Sequence, residues 1–216
     1  MNLILANNVL AHVDDLRNVF RGIDIVMADD GVLVFEVQYL PHMINGGMFD
    51  MIYHEHRDYH TLGPWPGFLA KFGMGISEVE HIPTHGGSIR VHVRRGSSDY
   101  VPPKESIDWA EFMSKIENAK QKLLSEISGK VVAFGATAKA CTLIHHFDLA
   151  DKIAYCIDET PVKQGLYIPG TNIQISPPER MEKEPPDAIL LTAWNFYGVL
   201  KERFNKRLIV PFQKAA

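Results

Sequence analysis

Short apolar runs without a polar residue at every second position constrain this chain more than any other feature. Val131-Val132-Ala133-Phe134, Ala188-Ile189-Leu190-Leu191 and Leu208-Ile209-Val210 do not alternate. They are also shorter than an ordinary helix. A strand that is apolar on both faces has to be covered on both, which is the condition of a parallel sheet between helices. Ile153-Ala154-Tyr155-Cys156-Ile157 is a further run and ends in Asp158. Helices are expected between them, from the Gly135-Ala136-Thr137 turn through His146 and from Phe196 to Phe204. From residue 129 onward the expected fold is therefore a small doubly wound α/β sheet.

The N-terminal part repeats the logic. Leu3-Ile4-Leu5-Ala6 reads as a buried strand, and Val13, Leu16, Val19, Phe20, Ile23 and Met27 recur at helical spacing within Val9 to Met27. Val32 to Val37 is a second strand. Strand, helix and strand make a βαβ unit with a parallel pair. A loop is expected from Gln38 to Asp50, broken by Pro41 and Gly46-Gly47. A short helix, Trp65 to Phe72, is stopped by Gly73 and Gly75. Ile76 to Ile82 and Ser88 to Arg94 flank the turn-forming Pro83-Thr84-His85-Gly86-Gly87, so they are expected to pair antiparallel. Gly96 to Pro103 is the expected domain boundary. It separates residues 1–96 from a linker and long helix (97–128, helical from Ile107 to Ile127) and from a last domain, 129–216.

The chain has 216 residues, 46% hydrophobic and 22% charged, with a net charge of −4. Its pI is near 6.2. That balance argues against nucleic acid or a membrane surface as partner, since Arg90, Arg94 and Arg95 are too few for a phosphate footprint. Cys141 and Cys156 read as small buried hydrophobes of a reducing compartment. The first residues carry no charged export signal and no run reaches membrane-spanning length, so a cytoplasmic location is expected.

Four stretches could carry chemistry. Met51-Ile52-Tyr53-His54-Glu55-His56-Arg57-Asp58-Tyr59-His60 concentrates proton-moving groups, and histidine titrates near neutral pH. It reads equally as a polar loop. His56 and His60 would share a face if the stretch were helical, but the spacing is not His-Glu-x-x-His, so no metal is expected. Gly135-Ala136-Thr137-Ala138-Lys139-Ala140 stands where a phosphate-binding turn would, yet it lacks the later glycines of a dinucleotide fingerprint. Asp158, about twenty residues on, fits a ribose acid of that fingerprint; the turn fits tight packing as well. His85-Gly86-Gly87-Ser88-Ile89-Arg90 combines glycines with a guanidinium that could clamp an anion. Lys163-Gln164-Gly165, Pro169-Gly170-Thr171 and Trp194-Asn195 are site-like but unspecific.

Together these motifs resemble the deoxysugar C-methyltransferases, which use S-adenosylmethionine to methylate a carbon of a nucleotide-linked 4-ketosugar. The resemblance runs through Ala6-Asn7-Asn8-Val9-Leu10-Ala11-His12, Ile52-Tyr53-His54-Glu55-His56 and His85-Gly86-Gly87-Ser88-Ile89-Arg90. It continues through Gly135-Ala136-Thr137-Ala138-Lys139, Lys163-Gln164-Gly165, Pro169-Gly170-Thr171 and Trp194-Asn195-Phe196. It implies Tyr53, Glu55 and His56 as the acid/base set, with His56 as the base that generates an enolate. Asn8, His12, His85, Ser88, Arg90, Thr137, Lys139, Lys163, Gln164, Trp194 and Asn195 are implied substrate contacts.

The resemblance is to the C-terminal portion of such enzymes. It implies a partial Rossmann-like methyltransferase half-domain followed by a small doubly wound Rossmann-like domain, with most of the S-adenosylmethionine site lying outside this sequence. In that family's sheet the strand matching Leu3 to Ala6 is internal. Its edge is therefore expected to be covered, by a second copy of the chain, by rearranged local structure or by a chain supplying the missing half. The competing expectation is a non-catalytic module that binds a nucleotide-sugar or serves assembly.

Overall fold

The computed structural model describes residues 1–212. Backbone contacts divide it into two compact units: Met1–Asn45 with His54–Asp108, and Gly46–Tyr53 with Trp109 onward. The residues expected as a linker, 97–128, are thus shared, and the long helix goes with the second unit. The chain is mixed α/β, as expected.

The first unit carries β1 (Leu3–Asn7), α1 (Leu16–Val26), β2 (Val32–Gln38), α2 (Leu40–Asn45), α3 (Trp65–Leu69), β3 (Met74–Ile82) and β4 (Ser88–Arg95). The sheet order is β1-β2-β4-β3. β1 and β2 are parallel, while β4 runs antiparallel to both its neighbours. The expected βαβ unit and hairpin are both present. The core gathers Phe20, Phe35, Trp65, Leu69, Ile89, Val91 and Val93 on one side of this sheet.

Three expectations fail locally. β1 is not buried: Ile4 and Ala6 pack on the core, but Leu3 and Leu5 are 58% and 61% exposed. Only one of its faces is covered, and its outer edge pairs with no described strand. The first helix starts seven residues late, because the Asp15 carboxylate accepts the Asn18 N–H at 3.1 Å and so caps a helix that begins at Leu16. The expected loop 38–50 contains α2 and a 3₁₀ turn at Phe49–Met51. Pro41 sits in the first turn of α2, where its missing N–H costs nothing.

The second unit carries α4 (Trp109–Glu126), β5 (Val131–Phe134), α5 (Ala138–His146), β6 (Ile153–Ile157), β7 (Ile175–Ser176), α6 (Arg180–Lys183), β8 (Ala188–Leu191), α7 (Tyr197–Leu200) and β9 (Arg207–Ile209). Its sheet is β7-β6-β5-β8-β9, parallel throughout. Every residue of β5 and β8 is buried, as uninterrupted apolar runs require. The helix expected from Phe196 to Phe204 is only α7. Past Leu200 the chain turns, Phe204 packs edge-on against Phe134, and Arg203 pairs with Glu159. Among the described residues no helix is long and apolar enough to cross a membrane.

Candidate functional site

Each unit places polar groups at the carboxyl ends of its parallel strands, where open α/β sheets keep their sites. In the first unit β1 ends at Asn7 and the next residue, Asn8, adopts φ 53°, a left-handed conformation that asparagine tolerates better than most residues. The bend aims Asn8 at Glu36, a carboxylate in the middle of apolar β2 that is only 5% exposed. Asn8 Nδ2 donates to Glu36 Oε1 at 3.2 Å, and Thr84 Oγ1 donates to the same oxygen at 2.8 Å. Arg90 donates to Oε2 at 3.3 Å and also faces Glu80 at 3.6 Å. Burial pushes the Glu36 carboxyl up, but these donors outweigh it and hold it below the usual carboxylate range.

Two of the implied contacts are therefore occupied from within: Asn8 and Arg90 both serve Glu36. Ser88 is fully buried and donates to the Thr84 carbonyl at 3.1 Å, closing the β3–β4 turn. His85 is exposed at its tip, at φ 51°. Gly87, at φ 123°, lies so close to His42 that a Cβ there would meet its Nδ1 at 2.5 Å. Glycine serves backbone packing here.

The histidine-rich stretch is not helical; residues 52–59 are turns and extended chain, so His56 and His60 do not share a helix face. The Arg57 N–H donates to the Ala11 carbonyl at 2.7 Å and brings the His56 ring to 4.9 Å from that of His12. Tyr59 lies edge-on to His56 at 6.2 Å. His54 and Glu55 are an exposed pair 3.4 Å apart. His60 points inward beside Trp65, and burial lowers its pKa to about 4. Among the described residues no three His, Cys, Asp or Glu side chains gather as metal ligands.

In the second unit β6 and β8 leave opposite sides of β5, which makes the β5–β8 crevice the switch point of the sheet. Gly135, at φ 102°, lets the chain turn sharply after β5, and a Cβ on it would meet that of Ala193 at 2.7 Å. Thr137 caps α5 by accepting the Ala140 N–H. Asp158 closes the turn from the end of β6, accepting from Ala136 N at 2.8 Å and from Lys163 Nζ at 3.2 Å. Burial opposes its charge, but the Thr160 and Lys163 donors prevail and its pKa is lowered. Gln164 Nε2 donates to the Asp158 carbonyl at 3.1 Å. An N–H that a pyrophosphate would need is thus taken by the protein's own carboxylate. Of the two readings open for this turn, the contacts of Asp158 match tight packing: it closes the turn.

Lys139, Trp194 and Asn195 form a second cluster. Lys139 is 8% exposed, donates to Asn195 Oδ1, and lies over the Trp194 ring at 4.4 Å. The Trp194 N–H donates to Asp50 Oδ2 at 2.6 Å. Burial lifts Asp50 to about 7, against the pull of Trp194 and Lys139; it also lowers Lys139 to about 8, against the pull of Asp50. Glu36, Thr84 and Asp50 went unnoticed in the sequence. A lone acid inside an apolar run, as in Val32–Val37 or Met48-Phe49-Asp50-Met51, is the signal that could have found two of them.

Residues 104–207 match the C-methyltransferase C-terminal domain. C-methyltransferase NovU of Streptomyces niveus is 31% identical over an alignment that takes in 90% of this chain and 51% of that protein. The chain spans about half the length of the curated relative it matches. Its α/β architecture and these two likenesses agree: residues 104–207 are a C-methyltransferase C-terminal domain, and the chain is similar to the C-terminal portion of a C-methyltransferase.

Proposed function

We propose that the chain is the substrate-handling portion of an S-adenosylmethionine-dependent C-methyltransferase acting on a nucleotide-linked 4-ketosugar. On this reading the first unit is the C-terminal half of the methyltransferase domain, and the second holds the nucleotide. The observation that carries the proposal is the His12–His56 pair, held by the Arg57–Ala11 bond at the carboxyl end of β1. A ketone acidifies the neighbouring C–H, and removing that proton needs a base that works near neutral pH, which an imidazole is. His56 is that base. Glu55 and Tyr53, its neighbours along the chain, orient it or polarise the ketone. His12, against the His56 ring, lies where substrate would arrive, with Asn8 and His85 on the same unit. Lys139 and Lys163 supply cationic groups for a diphosphate, with Thr137, Gln164, Trp194 and Asn195 around them.

S-adenosylmethionine, when bound, supplies an electrophilic methyl group. The Gly135 turn is left to the substrate, whose diphosphate is held by Lys139 and Lys163 and not by the Ala136 N–H, which Asp158 already takes. The donor is read as held by a segment equivalent to the part of the relative outside the match. That segment would also cover the open edge of β1, whose Leu3 and Leu5 face outward.

Deuterium exchange tests the proton step without a donor. In D₂O, a nucleotide-linked 4-ketosugar incubated with the chain should acquire deuterium beside its ketone, and His56→Ala should slow this by about 10²–10⁴-fold with an unchanged circular dichroism spectrum. Exchange that survives His56→Ala removes the base assignment. Tight binding with no exchange in the native chain favours the non-catalytic nucleotide-sugar module instead.

A further inference from the structure

Asp50 has no part in the proton step, yet among the described residues it is the most deeply buried carboxylate, at 0% exposure. It stands on the Phe49–Met51 turn, in the segment Gly46–Tyr53 that packs within the second unit. Phe49 lies against the rings of His146 at 4.6 Å and Phe147 at 4.9 Å. The Ile52 carbonyl accepts from Thr142 Oγ1 at 3.3 Å. Beyond Asp50 the contacts run in series: carboxylate to indole N–H, indole face to the Lys139 ammonium, ammonium to the Asn195 amide.

We propose that Asp50 is a positioning residue for the substrate's diphosphate: its bond to the Trp194 N–H fixes the indole beneath Lys139 and ties the segment that ends at Tyr53 to the Lys139–Asn195 pair. The proposal rests on the nucleotide-sugar reading of the second unit. Its physical ground is independent of that reading. A lysine as buried as Lys139 loses its proton readily. Two features oppose this: the electron-rich ring beneath it, polarised by a carboxylate on its N–H, and that carboxylate's charge beyond. The group facing Lys139 from the 49–51 turn is Asp50; from the turn after β8 it meets the neutral Trp194 and Asn195. Removing Asp50 leaves the ammonium without its counter-charge.

The test follows Lys139 directly, by NMR of the chain carrying ¹³Cε-lysine, with Lys139→Met to assign the signal. In Asp50→Asn the Lys139 midpoint should fall by about one pH unit or more from its value near 8. UDP and dTDP serve as probes for calorimetry. Their affinity should weaken as pH rises through the Lys139 midpoint, and in Asp50→Asn this loss should begin about one unit lower. A purely structural Asp50 would lower the melting temperature and leave the Lys139 midpoint where it is, which overturns the proposal. If Asp50→Asn does not fold, Trp194→Phe removes the N–H together with the pyrrole ring and keeps an aromatic ring under the ammonium. It must by itself move the midpoint by about half a unit or more; no movement is equally fatal. Failure of UDP and dTDP to bind the native chain at any pH would overturn the nucleotide reading, while the Lys139 midpoint still decides the role of Asp50.

Discussion

Glu36 in the first unit and Asp50 in the second are both buried carboxylates near the carboxyl ends of parallel strands, 5% and 0% exposed. Their ionisation is displaced in opposite directions. Glu36 receives hydrogen bonds from Asn8, Thr84 and Arg90 and stays charged. Asp50 receives the indole N–H of Trp194 on Oδ2, while its buried Oδ1 has no hydrogen-bond partner, and burial lifts it to about 7. Both acids have donors, but desolvation is the stronger at the wholly buried Asp50, whereas at Glu36 the side-chain donors, one of them the charged Arg90 guanidinium, outweigh it. The first unit has a fixed anion, and the second an acid poised to take or lose a proton near neutral pH.

The most severe challenge to this contrast is Glu36→Ala. It takes away the acceptor of Asn8 and Thr84 and leaves Arg90 with Glu80 alone, and should cost about 3–5 kcal/mol in urea unfolding; a loss under 1 kcal/mol would mean the donors find water just as easily. His60 extends the contrast to a base. Its buried Nε2 has no hydrogen-bond partner, and its folded pKa of about 4 lies below the usual 6.5. The unfolded chain therefore binds the proton first as pH falls. Stability is full above pH 6.5 and declines toward pH 4, by about 3 kcal/mol. His60→Phe should flatten that acid limb in melts taken across the range, and an unchanged limb would assign it to other groups.

Asp50→Asn should do far less. The folded pKa of Asp50 is raised above its ordinary 3.8, so its contribution to stability is full below that value and is lost as pH rises through about 7. The amide abolishes this decline and can still accept the indole N–H. At pH 7.5 the variant should lie within about 1 kcal/mol of the native chain or be more stable. A loss of 3 kcal/mol would make Asp50 a second Glu36 and end the comparison. Leu3→Lys on the exposed side of β1 should change the chain's own stability by no more than about 0.5 kcal/mol. A larger loss would mean that face is already covered.

What could be read from the sequence was whatever neighbouring residues decide. The apolar runs of β5 and β8 and the turn of the β3–β4 hairpin declare themselves within a dozen residues or so, and the parallel β1–β2 pair follows from the strand–helix–strand order over residues 3–38. The burial of β1 did not, because an edge strand and an inner strand share the same apolar run, and only the presence of a neighbouring strand separates them. The start of α1 turned on whether Asp15 would cap the helix, a choice that the periodicity of Val13 and Leu16 cannot express. The charged residues were least legible. His12 and His56 were named from motifs, but the ring contact between them depends on the Arg57–Ala11 bond across the fold. Asp50 meets Trp194 144 positions later, and neither residue's surroundings hint at the other.

The segment Gly46–Tyr53 bears on how such a protein can be taken apart or recombined. The second unit is not one continuous stretch of chain, so a gene fragment starting near residue 104 would omit Phe49 and Asp50. It would leave a gap beside Phe147 and His146 and an indole N–H with no acceptor. Swapping this domain between relatives as a simple 3′ cassette would pair its Lys139–Trp194–Asn195 cluster with another protein's version of those eight residues. Hybrids should succeed only where that short upstream insert travels with the rest, so the two pieces are expected to be inherited together.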